Sequence, residues 1–412
     1  MRTAAVIGGG PAGLMAAEVL SAAGLEVTVY ERMPSVARKL LIAGRGGLNL
    51  THSEGFDAFM GRYGAEAAWL RPMIAAFPPA ALVAWAEGLG QAMFTGSSGR
   101  VFPKAMKASP LLRAWLARLA AQGAGIRTRH EWLGWDAEGA LRLRDGLGTV
   151  VTARPDVTVL ALGGASWPKL GSDGAWVEVL ESAGVAVTAL SPANMGINIA
   201  WSEAFRTRFA GEPVKNIAMR CTVNGGGIGA TIAVRGDAVV TGYGLEGGVI
   251  YALSHPLREM MARGAAGAVT IDLRPDADEG ALADRIMLAA LGQSTNNMLR
   301  KAAKLSPLAV NLMREGVGRE LPREPAALAR AIKAVRLSVT GVQGMARAIS
   351  SAGGVMRGAV DDALMLKARR GVFVAGEMLD WAAPTGGYLL QASFATGAAA
   401  AKGALSFAAA GP

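Results

Sequence analysis

Three glycines near the start of the chain, Gly8, Gly10 and Gly13, have the spacing that holds a pyrophosphate. In the order Gly-x-Gly-x-x-Gly each has a mechanical job. Gly8 permits a tight turn, Gly10 lets phosphate oxygens approach the backbone, and Gly13 lets a helix pack closely on a strand. The helix that follows would aim free N–H groups and its positive dipole end at the phosphates. Glu31, eighteen residues after Gly13, is placed to accept hydrogen bonds from an adenosine ribose.

The elements that must position these groups can be read on either side of them. An apolar strand, Ala5-Val6-Ile7, runs into the turn. An apolar helix follows from Leu14 to Leu20, and a second strand from Glu26 to Tyr30 ends at Glu31. A secretory signal would share the outline of Arg2 before an uncharged stretch, but three consecutive glycines and Pro11 interrupt that stretch. The segment reads as the βαβ unit of a dinucleotide-binding domain, α/β in class.

Composition narrows the rest. A chain of 412 residues has room for two or three domains and a sizeable core. The one cysteine, Cys221, excludes an internal disulfide and a redox dithiol, and reads as a buried thiol in a strand. The three histidines, His52, His130 and His255, have no metal-ligand spacing, so no metal is expected. The uncharged run from Trp381 to Ala401 is long enough to span a bilayer but contains Pro384, Gly386, Gly387 and Gln391. A soluble, cytoplasmic protein without a membrane partner is expected. The net charge is +10, and the excess is clustered. Seven basic residues and no acid lie between Glu87 and Glu131. From Met298 through Arg347, ten basic residues, Arg347 included, face only Glu315, Glu320 and Glu324. Such stretches are either solvated helix faces or a surface for phosphates, those of RNA included.

Further along, Arg38 to Thr51 is a basic, glycine-rich turn suited to cradling a cofactor with backbone groups. The strand Val157 to Leu162, apolar on both faces, ends in Gly163-Gly164. From about Leu190 short alternating segments predict a β-rich insertion, and Ala281 to Val335 predicts a helical cap. A hairpin turn is expected at Gly225 to Gly229, whose spacing does not make a second dinucleotide turn. Near the end a strand, Gly371 to Ala375, leads to Gly376-Glu377, and Gly386-Gly387 opens a final apolar helix from Tyr388 to Ala401. The nucleotide domain is thus expected from both chain ends, residues 1–189 and 338–412. The insertion between them comprises a β-rich part, 190–275, and a helical part, 276–337.

These segments together resemble the BaiN/RdsA-like FAD-dependent oxidoreductases, a branch of the flavoproteins with two dinucleotide-binding domains. The residues carrying the resemblance are Gly8 to Gly13 with Glu31, Arg38 to Thr51, Gly99 to Lys104, Ala161 to Gly174, Gly242 to Gly248, Ala352 to Val355, and Ala375 to Gln391. The resemblance implies a Rossmann-like FAD-binding domain with a β-barrel-like and helical insertion. It also implies tightly bound, non-covalent FAD. By position, Gly8, Gly10, Ala12 and Gly13 would hold the pyrophosphate and Glu31 the ribose. Arg32, Lys39, Gly44, Gly47 and Asn49 would border the cofactor, with Trp132 beside the adenine and Gly163 in the crevice. Gly376 and Glu377 would approach the ribityl chain. Gly386, Gly387, Tyr388, Leu389 and Gln391 would hold the isoalloxazine, whose reduced form the helix dipole would stabilise.

The chain departs from the family pattern in two places. Gly44-Arg45-Gly46-Gly47-Leu48-Asn49 stands where the family has Gly-Gly-Gly-Arg-Cys-Asn, and Tyr243-Gly244-Leu245-Glu246-Gly247-Gly248 where it has Phe-Gly-Leu-Ser-Gly-Pro. Both leave the substrate open. The activity implied is NAD(P)H-driven reduction of an electron-poor C=C bond in a small-molecule acceptor, by hydride transfer from flavin N5. The alternatives are reduction of uridine in RNA, held by the basic surface, and amine oxidation. No proton donor stands out from the residues alone, and Tyr243, Glu246 and Tyr388 are the candidates.

Overall fold

Short apolar runs such as Val157–Leu160, buried at every position, can only sit between two covering layers. The computed structural model, which describes residues 2–223, 230–262, 267–289 and 293–411, places that strand inside a five-stranded parallel sheet. The spatial order is Val372–Val374, Val157–Leu160, Thr3–Ile7, Glu26–Glu31 and Gly125–Thr128. The register is continuous, with Val6 beside both Val159 and Val29.

The chain divides into two compact units, one of residues Met1–Pro192 with Ile349–Pro412, the other Ala193–Ala348. In the first, both chain ends share a hydrophobic core, because the first helix (Pro11–Ala22) and the final helix (Tyr388–Ala410) pack together. The approach is close: a Cβ on Gly397 would stand 2.3 Å from the carbonyl oxygen of Ala12. The final helix runs nine residues beyond the expected Ala401, since Ala404 and Ala408 continue its buried stripe. The stretch 66–89 holds two helices, Ala67–Ala76 and Pro79–Glu87. Pro78 and Pro79 break it, and Leu70, Ile74, Leu82 and Ala86 bury one side of each helix.

The second unit is built on a seven-stranded sheet whose long hairpin is Pro213–Val223 with Ala230–Val240. Helices Glu279–Ala289, Thr295–Ala302, Pro307–Val317 and Pro325–Lys333 contribute to the same core as that sheet. The β-rich and helical parts, expected as separate pieces, therefore fold as one unit. Its carboxyl boundary also lies later than residue 338. Val335–Val339 and Gly341–Val342 pair inside this sheet, with Val269 opposite Leu337 and Ile197 opposite Val342. Gly341 sits within the second of these strands, opposite Asn198. The turn expected at Gly225 to Gly229 lies outside the described residues. Cys221 is buried in the hairpin, and its thiol is pushed up by that burial.

Candidate cofactor site

Four strands of the parallel sheet end at one cavity of about 500 Å³, within the usual size of a ligand pocket. The carboxyl ends of parallel strands are where open α/β sheets bind ligands. Ile7 leads to Gly8 and Gly10, Leu160 to Ala161 and Gly163, Val374 to Gly376 and Glu377, and Tyr30 to Glu31 and Arg32, all on the wall. Gly8 has a φ of +105°, and a Cβ there would lie 2.3 Å from the Ala161 oxygen. A Cβ on Gly13 would lie 1.9 Å from the Gly8 oxygen, so Gly13 packs helix against turn behind the wall. Gly10 begins the first helix with no side-chain cap and with nothing within 4 Å of its missing Cβ. With Pro11 and Ala12 also on the wall, the N-terminus of this helix borders the cavity.

Glu31 turns its carboxylate to the glycine turn, accepting from Gly9 N–H at 2.9 Å and Met33 N–H at 2.8 Å. Burial pushes this carboxyl above its ordinary value, against the lowering effect of those two bonds. Arg32 donates to the Gly171 carbonyl at 3.1 Å and pairs with Asp173 at 2.7 Å. Lys39 pairs with Glu377 at 3.0 Å and donates to Ser166 Oγ at 2.8 Å. The other Glu377 oxygen accepts from Ser351 N–H at 2.8 Å, so the ion pair ties segments from both chain ends across the wall. Trp176 donates its indole N–H to the Gly163 carbonyl at 2.8 Å.

Of the residues singled out in the sequence, the structure brings Gly8, Gly10, Ala12, Glu31, Arg32, Lys39, Trp132, Gly163, Gly376, Glu377 and Leu389 to this wall. Gly13, Gly44, Gly47, Asn49, Gly386, Gly387, Tyr388 and Gln391 are not among its lining residues. Gly44 meets Ala108, and Gly47 meets Met106. Gln391 is fully buried, with its amide bonded to Thr51 Oγ1 at 2.8 Å and to the Phe77 carbonyl at 2.6 Å. Tyr388 is turned into a separate polar cluster. Its hydroxyl donates to Glu54 at 2.5 Å, its ring stacks on His52, and Arg62 holds both Glu54 oxygens, at 3.0 and 2.6 Å. Arg62 holds Glu54 below the usual carboxylate range, with a smaller lowering contribution from Tyr388. Burial and the Glu54 carboxylate push the Tyr388 phenol up, out of reach of neutral pH. His52 accepts from Glu54 N–H at Nδ1, which assigns its proton to Nε2, 3.0 Å from the Ser98 carbonyl.

In the second unit Tyr243 donates to Glu246 at 2.5 Å, and Arg347 lies over the Tyr243 ring. Burial, with Glu246 adding to it, pushes the Tyr243 phenol up to about 12.

Residue-level reading of the sequence did not single out Ser166, Trp167, Asp173, Trp176 or Ser351. Ser166 and Trp167 follow directly on Gly163-Gly164, which was a visible signal. Ser351 carries no local pattern and reaches the network only through folding.

The wall also passes a test for a large polar ligand. Among the described residues, three buried side-chain atoms lack a hydrogen-bond partner: Arg38 Nε, Asn49 Oδ1 and Trp132 Nε1. Arg38 and Trp132 line the cavity, and buried donors of this kind are rarely left unpaired. A cavity with an open helix N-terminus, an acid for a ribose and two unpaired donors fits a dinucleotide.

The parallel sheet, glycine turn and cavity, with the sheet-rich second unit, define a Rossmann-type FAD-binding fold. The chain belongs to the family described as the HI0933-like protein Rossmann domain, which matches residues 2–403. It is 26% identical over 423 aligned residues to the 3-dehydro-bile acid delta(4,6)-reductase of Clostridium scindens, covering 98% of this chain and 99% of that one. Solved structures share the fold at lower identity. One is a 3-ketosteroid delta1-dehydrogenase from Sterolibacterium denitrificans (TM-score 0.54, 12% identity, 99% of each chain). Another is a flavocytochrome c3 fumarate reductase (TM-score 0.53, 15% identity, 98% of this chain and 78% of that one). The protein is an oxidoreductase of an FAD-dependent family.

Proposed function

We propose that this protein takes electrons from NAD(P)H and uses them to reduce an electron-poor C=C bond of a small-molecule acceptor in the cytoplasm. The observation that carries the reading is the match, over nearly the full length of both chains, to a relative named as a delta(4,6)-reductase. When bound, FAD supplies two-electron redox chemistry that no side chain can perform.

The chain's own residues bind and orient. The turn at Gly8 to Gly10 and the first-helix N-terminus would receive the pyrophosphate, with Arg38 as a cation on the same wall. Glu31 keeps acceptor capacity for the ribose, because each oxygen uses one lone pair on a backbone N–H. Lys39 and Glu377 hold opposite charges at fixed positions on the wall. For proton delivery we assign the pair Tyr243 and Glu246 rather than Tyr388. Tyr243 Oη donates to the Glu246 carboxylate at 2.5 Å, which would take the replacement proton from solvent and pass it on, whereas Tyr388 Oη donates to a Glu54 that Arg62 also holds.

The test is anaerobic mixing of the purified yellow protein with NADH and NADPH. Bleaching of the visible flavin band, followed by recovery on adding a conjugated enone, is the expected result. A band that bleaches with neither nicotinamide would sink the reading. Hydrogen peroxide made from small amines would shift it to an oxidase.

A second reading rests on exposed basic residues of the second unit. Arg300, Lys301, Lys304, Arg319, Arg323 and Arg336 are exposed, and none has a carboxylate within 4 Å among the described residues. Uncompensated exposed cations of this kind suit an RNA phosphate backbone. Salt-sensitive RNA binding that disappears on charge reversal of Arg300, Lys301 and Lys304 supports it. Absence of binding at low salt removes it.

A further inference from the structure

Trp167 lies on the cavity wall and is 36% exposed, while its backbone is left-handed, with φ 59° and ψ 62°. A bulky side chain in that region is a genuine outlier. Pro168 follows, and a residue before proline normally prefers extended backbone. The conformation is held from both sides. Leu170 N–H donates to the Trp167 carbonyl at 2.8 Å, and Ser166 Oγ receives Lys39 and donates to the Ile349 carbonyl at 3.3 Å.

Asparagine or glycine would fit this backbone more cheaply, so the local turn does not explain the tryptophan. Core packing does not explain it either. Among the described residues the indole makes no hydrogen bond and no ring contact, and a third of it faces solvent. Ile349, 38% exposed and tied to the same turn, adds an apolar neighbour on the wall. Strain that persists on a cavity wall is a pointer to function.

We infer that Trp167 is a stacking platform at the mouth of the cavity, for the planar conjugated ring of the partner that exchanges electrons with the bound cofactor. The inference rests on the reductase reading. The ring has two possible sources, the nicotinamide of the donor and the enone of the acceptor. An exposed indole face attracts either by dispersion and offset stacking, and loss of one such contact is worth about tenfold in affinity.

The experiment compares the FAD-loaded wild type with Trp167→Leu, Trp167→Tyr and Trp167→Asn. The measurements are FAD content, melting temperature, and dissociation constants for NADH, NADPH and a 3-oxo-4-ene steroid from perturbation of the visible flavin band. Steady-state KM and kcat accompany them. Trp167→Leu is expected to keep its FAD and melting temperature while one ring probe binds about tenfold more weakly, with kcat within about twofold. Trp167→Tyr restores most of the loss, and Trp167→Asn loses the probe while melting no lower than wild type. Weakening confined to the nicotinamides assigns the platform to the donor, and weakening confined to the steroid assigns it to the acceptor. The inference is overturned if no probe perturbs the wild-type band, or if Trp167→Leu binds every probe as wild type does. FAD loss from the Leu variant overturns it in favour of a role in holding FAD itself, and a drop of several degrees in the Asn variant overturns it in favour of a packing role. A wild type that binds a ring probe yet is bleached by neither nicotinamide sinks the reductase reading alone.

Discussion

Two helices of the cofactor-binding unit begin at glycines, and the two glycines do opposite things. At the first helix, Gly10 has extended backbone and nothing within 4 Å of its missing Cβ. At the final helix, Gly387 has a φ of +98°, and its missing Cβ would stand 2.5 Å from Thr51 Cα. The first glycine leaves space for a ligand, and the second lets the chain approach itself. The neighbouring carboxylates divide in the same way. Glu31 faces the cavity, satisfied by backbone N–H groups and raised by burial, whereas Glu54 is gripped by Arg62 and Tyr388 and lowered. A glycine-led helix start is therefore a ligand site only where folding leaves its first turn uncovered.

Substitutions at the two glycines are the strongest way to break this comparison. Gly387→Ala meets backbone atoms and a left-handed φ together, so it should cost on the order of 3 kcal/mol. The melting temperature and soluble yield fall even without added FAD. Gly10→Val should leave the apoprotein's melting temperature within a few degrees and weaken FAD at least tenfold, read by fluorescence titration. If Gly10→Val destabilises the apoprotein more than Gly387→Ala does, the comparison is wrong.

Smaller effects sharpen it. Tyr388→Phe removes one hydrogen bond to a charged carboxylate and should cost about 1–2 kcal/mol of stability. FAD affinity should stay unchanged, because the hydroxyl serves the chain and not the cavity. A tenfold loss of FAD in this variant would return Tyr388 to the cofactor site.

The smallest effect is one of sign with pH. Glu54 is held below its ordinary value near 4.5, so its stabilisation is present above that pH and is lost as pH falls through the lower folded value. Glu31 is held above 4.5, so its contribution is fully present below that pH and is lost as pH rises through the higher folded value. Melting curves of the apoprotein across the acidic range should show opposite changes in slope for Glu54→Gln and Glu31→Gln. Changes of the same sign would mean that the two carboxylates sit in equivalent surroundings.

The cavity wall was legible to the extent that its residues sit in local patterns. Gly8, Gly10 and Glu31 occupy a spacing that follows from strand and helix geometry, and Gly163 and Gly376 end apolar strands. The same logic also picked out Gly44, Gly47, Gly386 and Gly387, which are not among the lining residues of this cavity. A glycine needed for close chain packing and one needed for a ligand look alike in sequence. Glu54, Arg62 and Ser351 were missed because each gains its partner only through folding, as Ser351 does from Glu377, twenty-six residues away. The boundary of the second unit was misplaced for a similar reason. Val339 pairs with Gly267 across more than seventy residues, a relation no local window contains.

The sequence alone determined the βαβ turn, the parallel sheet and the α/β class. Period-two and helical apolar patterns, and glycine's freedom of backbone, are local properties of the chain. Only the tertiary structure decided which glycines face a cavity and that Lys39 meets Glu377 across 338 positions. It also decided that Tyr388 is spent on Glu54 while Trp167 stands strained and exposed at the wall. Those outcomes depend on how distant segments compete for the same space and the same hydrogen bonds, and that competition exists only once the chain has folded.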